Sequence, residues 1–266
     1  MSAKSSDKAH RHLGKTAARA AHVKPVRNYH WSMLIALPVW VLMAFVGGNL
    51  IISALLWLLN ALNMPLDSYI RPAIFNTAIA TMVYALTIAI AIGVPYVLRR
   101  RITKLSVVGL DRLPSWTDIG LAPLVFIGYT LVVTTVLALV TAWFPGFPAD
   151  QAQDIGFKAF GTRTDNILAF MTLVVLAPLA EEVLFRGYLY GKLKGHVPAI
   201  VAAIATSLLF GAAHGQWNVG IDVFILSLAL CGLRSLTGSI WSGVLVHMIK
   251  NGIAYYFLFI NPLIGG

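Results

Sequence analysis

Runs of about twenty apolar residues recur along this chain from residue 34 to its end, and that recurrence restricts the fold more than any other feature. A helix rises about 1.5 Å per residue, so such a run crosses the roughly 30 Å of hydrocarbon in a bilayer. Seven apolar segments are expected, near 34–62, 73–98, 119–144, 167–190, 197–213, 221–237 and 240–260. None alternates like a half-buried strand. In lipid every backbone N–H and C=O must be satisfied within the segment, which favours helix. Composition agrees: 58% of residues are hydrophobic and only 11% charged, against about 25% charged in a soluble domain. The expected fold is all-α, a polytopic transmembrane helical bundle of about seven to eight helices, with membrane lipid as its solvent.

The net charge of +10 is unevenly placed. Residues 1–30 carry Lys4, Lys8, Arg11, Lys15, Arg19, Lys24 and Arg27 against the single acid Asp7. They read as a basic cytoplasmic tail, disordered or lying on anionic lipid, ahead of a membrane domain over 31–266. If the tail is inside, Arg99, Arg100, Arg101, Lys104, Arg112, Arg186, Lys192, Lys194 and Arg234 also fall inside, and Arg71, Lys158 and Arg163 fall outside. This is a strong positive-inside bias. It predicts a multi-pass protein of the cell (plasma) membrane with a cytoplasmic N-terminus. Seven crossings place the C-terminus outside, and 214–220 is a candidate re-entrant stretch. No aromatic-interleaved basic face is present, so nucleic acid is not an expected partner. Cys231 stands alone, which excludes an intramolecular disulfide and a cysteine-rich zinc site.

Ionisable groups inside membrane segments are costly and mark function by default. Here they gather in the C-terminal half, in three clusters. In Glu181-Glu182-Val-Leu-Phe185-Arg186, the four-residue spacing lets Glu182 pair with Arg186 on one helix face. Glu181 points about 100° away and has no local partner, so it is the carboxylate left for general-base work. Phe210 and His214 close the next apolar segment. His247 and Asn251 share a helix face in the last. Heights measured along the helices bring Glu181, His247 and Asn251 to similar depth and leave His214 about half a membrane higher.

Glu181-Glu182-x-x-x-Arg186, Phe210-x-x-x-His214 and His247-x-x-x-Asn251, in that order within apolar helices, resemble the motifs of the CAAX proteases and bacteriocin-processing enzymes, a family of intramembrane peptidases. The likeness covers roughly 167–255, the expected peptidase core; Lys250 departs from the family pattern. The resemblance implies an endopeptidase acting on a membrane-associated protein or peptide. Catalysis would rest on Glu181, His214, His247 and Asn251, with Glu182, Arg186 and Phe210 in support. It leaves the cofactor open between none and zinc, the latter held by Glu181, His214 and His247. Two other readings compete: a catalytically silent scaffold or bacteriocin immunity protein, and a proton or ion carrier. Water must reach Glu181 at depth, so a polar cavity opening beside Lys192 and Lys194 is expected.

Overall fold

A computed structural model describes residues 28–149, 151 and 162–261. The basic tail expected over 1–30 falls almost wholly outside them. Seven apolar helices appear where the hydrophobic runs predict them. They are α1 (Met33–Ala61), α2 (Pro72–Arg99), α3 (Trp116–Trp143), α4 (Arg163–Leu193), α5 (Ala199–Ala212), α6 (Trp217–Thr237) and α7 (Trp241–Ile260). All but α5 are long and apolar enough to cross a membrane. The 14 residues of α5 span about 21 Å, short of full hydrocarbon thickness. The stretch considered re-entrant is instead a turn at 213–216 followed by the first residues of α6.

The helices alternate in direction between two ends. At one end the connector 100–115 is tied to the α6–α7 turn. Arg234 Nη2 donates to Ser106 O at 3.1 Å and Val107 O at 3.0 Å. Ser239 Oγ donates to Gly109 O at 3.1 Å, and Trp241 Nε1 to Arg112 O at 2.8 Å. The end of α4 meets the same connector: a Cβ at Gly191 would lie 2.3 Å from Val107 O, and one at Gly187 2.8 Å from Val108 O. Glycine is what lets these backbones touch. At the opposite end Arg71 pairs with Asp165, Asn218 Nδ2 donates to Gln151 O at 2.7 Å, and Tyr255 OH donates to Asn166 O at 2.9 Å. Arg99, Arg100, Arg101, Lys104, Arg112, Lys192, Lys194 and Arg234 therefore share the connector end. Among the described residues, Arg71 and Arg163 lie at the other.

Exposed Ile35, Leu50, Leu124 and Leu131 form part of an apolar outer surface suited to lipid. Side chains at the connector end of α4 are buried against α1, α5 and α6, including Tyr188, Leu189, Tyr190 and Leu193. Two features of α4 were not visible as hydrophobic pattern. Thr162 caps its start, accepting from Asp165 N. Two stretches, Met171–Leu176 and Glu182–Tyr190, are wound as π-helix, a form frequent at functional sites.

Candidate active site

Four helices and the turn after α5 contribute polar groups to one cavity of about 670 Å³ within the bundle. Glu181, His214, His247 and Asn251 all line it, so α4, α5 and α7 do converge as the three motifs require. The half-membrane offset expected for His214 does not keep it away. The Phe210 ring links the two imidazoles, with its centroid 5.0 Å from that of His214 and 6.0 Å from that of His247.

Beneath the cavity sits a buried charge pair. Arg186 Nη1 donates to Glu182 Oε1 at 2.8 Å, and neither side chain is exposed. The Arg186 guanidinium carbon stands 4.2 Å from the Phe210 ring centroid, a cation–π contact strengthened by the absence of water. The i,i+4 spacing thus serves its expected purpose inside a π-helical turn. His247 Nδ1 approaches the same Glu182 oxygen at 3.1 Å. A carboxylate accepts, so Nδ1 carries the proton, and the lone pair of a neutral His247 resides on Nε2. Gly243 makes room for this arrangement: a Cβ there would lie 3.0 Å from Glu182 Oε2.

Glu181 is the partly exposed member of the acidic pair. It is not without a partner. Tyr84 of α2 donates its hydroxyl proton to Glu181 Oε1 at 2.6 Å, and Glu181 Oε2 faces His247 Nε2 at 3.8 Å. One oxygen is held and the other is free to take a proton. No sequence signal pointed to Tyr84, which lies 97 residues away and outside all three motifs. On the other wall, His214 Nδ1 donates to Phe210 O at 2.8 Å. A carbonyl only accepts, so neutral His214 also presents a bare Nε2. Asn251 Nδ2 donates to Leu173 O at 2.9 Å, a carbonyl within the first π-helical stretch, and one amide hydrogen remains for a ligand.

Lys250, the departure from the family pattern, faces a carboxylate of α6. Its Nζ lies 3.3 Å from Asp222 Oδ2, and Tyr129 donates to the other Asp222 oxygen. Both Lys250 and Asp222 line the cavity. The position of the cavity also differs from expectation. Lys192 and Lys194 do not line it; their ammonium groups cap the rings of Tyr188 and Tyr190, at 4.3 and 5.5 Å from the centroids. Buried Tyr188, Leu189, Tyr190 and Leu193 fill the space between those lysines and Glu181. As for zinc, no group of three or more His, Cys, Asp or Glu side chains among the described residues is arranged to hold a metal ion. Glu181, His214 and His247 do not fit one in this arrangement, and no step below runs through a metal.

Residues 163–253 match the family described as Type II CAAX prenyl endopeptidase Rce1-like. Among curated proteins, an uncharacterized 24.3 kDa protein of Escherichia coli is 33% identical over 170 residues, which cover 60% of this chain and 72% of that protein. The membrane-embedded CAAX protease MroQ of Staphylococcus aureus (strain USA300) is 29% identical over 158 residues, 55% of this chain and 59% of MroQ. No solved structure matches. The matched region spans all three motifs, and the apolar helices give them a membrane setting: this multi-pass chain belongs to the family of CAAX proteases and bacteriocin-processing enzymes.

Proposed function

We propose that this chain is an intramembrane endopeptidase in which Glu181 activates water against a peptide carbonyl. The observation that carries this reading is the state of the Glu181 carboxylate. One oxygen is fixed by Tyr84, and the other faces His247 Nε2 at 3.8 Å inside a membrane cavity. A water between that oxygen and the substrate gives its proton to Glu181, and its oxygen bonds to the carbonyl carbon. The oxyanion so formed is stabilised by the free amide hydrogen of Asn251 and by a donor proton on His247 Nε2. Glu181 then returns its proton to the departing amine as the C–N bond breaks. The substrate is a membrane-associated protein or peptide. It binds unwound, because a helical segment hides its carbonyls.

The same geometry weighs against a proton or ion carrier. The chain of contacts from Tyr84 through Glu181 and His247 ends at the Glu182–Arg186 pair, and neither side chain of that pair is exposed. A carrier needs polar groups leading to both faces. A silent scaffold or immunity protein has no need of a carboxylate held by one oxygen. The protein resides in the plasma membrane with its connector end and N-terminus cytoplasmic, following the positive-inside rule. The deciding experiment reconstitutes the purified protein in liposomes with apolar peptides and follows fragment release by mass spectrometry. Release above protein-free liposomes is expected; none from any peptide would overturn the reading.

Two variants probe the parts. Tyr84→Phe removes only the hydroxyl. A hydrogen bond to a charged group contributes about 1.5–3 kcal/mol, so kcat should fall roughly 10- to 100-fold with KM and melting temperature little changed. A proportional rise in KM would place Tyr84 in substrate binding instead. Asn251→Ala removes the proposed oxyanion donor and should slow turnover by about 10²–10³. It also leaves Leu173 O without its partner, at a stability cost of about 1 kcal/mol. Unaltered turnover in the folded variant would assign Asn251 to α4–α7 packing alone.

A further inference from the structure

The connector between α2 and α3 is engaged on one side and open on the other. Val108 is buried, and Val107 and Val108 lie against Gly191 and Gly187 of α4. Ser106 O and Val107 O accept from Arg234, and Gly109 O accepts from Ser239. The outward side carries large apolar side chains. Ile102, Leu105 and Leu113, with Trp116 at the start of α3, are 62 to 86% exposed. Large apolar side chains gathered at a surface mark a contact, and tryptophan at a helix end suits the membrane–water interface.

Cations are interleaved with them. Arg99, Arg100, Arg101 and Lys104 are exposed. Among the described residues no carboxylate pairs with these four or with Lys192. Arg101 and Lys192 are near enough to repel each other. The carboxylates at this end are engaged elsewhere: Asp118 with Arg112, Glu182 with Arg186, and Asp111 acting on Arg112 and Arg234. Like charges crowded without neutralisation set up a field that attracts anions.

We infer that the connector end is a docking surface for anionic phospholipid, with its apolar side chains at the acyl boundary and its cations against the phosphates. Two features select lipid over a soluble anion. Ile102 and Leu105 alternate along the chain with Arg101 and Lys104, as in an element lying in the plane of the interface. The connector also joins the ends of two membrane helices, α2 at Arg99 and α3 at Trp116, which sets it at headgroup depth. None of these residues lines the cavity, and the inference does not rest on the peptidase reading. Through Gly187 and Gly191, the surface that grips lipid is joined directly to the helix that carries Glu181.

Binding is measured on the full-length protein without cleavage. The protein is held on beads in neutral detergent micelles and titrated with fluorescent phosphatidylglycerol or phosphatidylcholine of the same acyl chains. Retained lipid gives the two affinities. Phosphatidylglycerol should bind more tightly, and rising salt should shrink the difference. Equal affinities, or a difference indifferent to salt, overturn the inference. The triple variant Arg100→Gln, Arg101→Gln, Lys104→Gln changes only exposed side chains outside any ion pair, and a thermal melt checks its fold. Its affinity for phosphatidylglycerol should fall about fivefold for each cation removed, the usual contribution of a Lys or Arg near an anionic surface. Lys104→Gln alone should show a single such step. Arg163→Gln, at an exposed site at the other end, should change neither affinity. An unchanged preference in the triple variant, or an equal fall in Arg163→Gln, overturns the placement. Ile102→Ser with Leu105→Ser should weaken phosphatidylglycerol binding although every cation remains. Unchanged binding there, or displacement of the lipid by inorganic phosphate beyond that by chloride at equal ionic strength, would make this a soluble-anion site and overturn the inference.

Discussion

Glu181→Gln protein is expected to fold as the wild type does and to lose turnover by at least about 10²–10⁴-fold, the usual contribution of a general base. The exchange is near-isosteric. The amide oxygen still accepts from the Tyr84 hydroxyl, and the amide nitrogen can donate to His247 Nε2, so both contacts of Glu181 have substitutes. What disappears is the ability to accept a proton from water and pass it to the departing amine. Fragment release by mass spectrometry gives the rate, and a thermal melt with size-exclusion chromatography certifies the fold. Wild-type cleavage by folded Glu181→Gln protein would remove this carboxylate from the chemistry. An unfolded variant would show instead that the charge of Glu181 holds α2 to α4.

Arg186→Ala should act on the fold before it acts on the reaction. The guanidinium and the Glu182 carboxylate are both fully buried and 2.8 Å apart. Removing the cation strands an anion in low dielectric, which costs about 3–5 kcal/mol, comparable to much of a domain's net stability. The cation–π contact with Phe210 goes as well. Folded yield and melting temperature should drop sharply. A double variant, Arg186→Met with Glu182→Gln, should recover part of the loss, because neither charge then remains unpaired. Normal stability with abolished cleavage in Arg186→Ala would move Arg186 from structural support to direct contact with the reacting groups.

Much of this was legible in the sequence because lipid enforces a simple code. Runs of apolar residues have one way to satisfy their backbones, and all seven became helices. The Glu182–Arg186 pair was legible because four-residue spacing brings side chains together locally. Tyr84 was not legible: its contact with Glu181 joins two helices far apart in sequence, and a lone tyrosine in an apolar helix carries no periodic signature. The Lys250–Asp222 pair was hidden for the same reason, since it joins α6 to α7. The height estimate for His214 compared residue counts along separate helices, and counts say nothing of how helices tilt towards a common ring such as Phe210. Lys192 and Lys194 do not line the cavity, because lysines mark where charge meets water but not what is packed beneath them. Here Tyr188 and Tyr190 are.

The bond from Tyr84 to Glu181 bears on how such a protein can diversify. The segment shared with the family begins at residue 163, and Tyr84 lies outside it, as does Tyr129, which donates to Asp222. On the proposed reading, the reacting groups belong to one portion of the chain and part of their alignment to another. The shared portion grafted onto foreign helices would retain its reagents and lose a restraint on their orientation. If the peptidase reading holds, exchanging the leading helices would retune rate and selectivity while the groups proposed to break the bond stay the same.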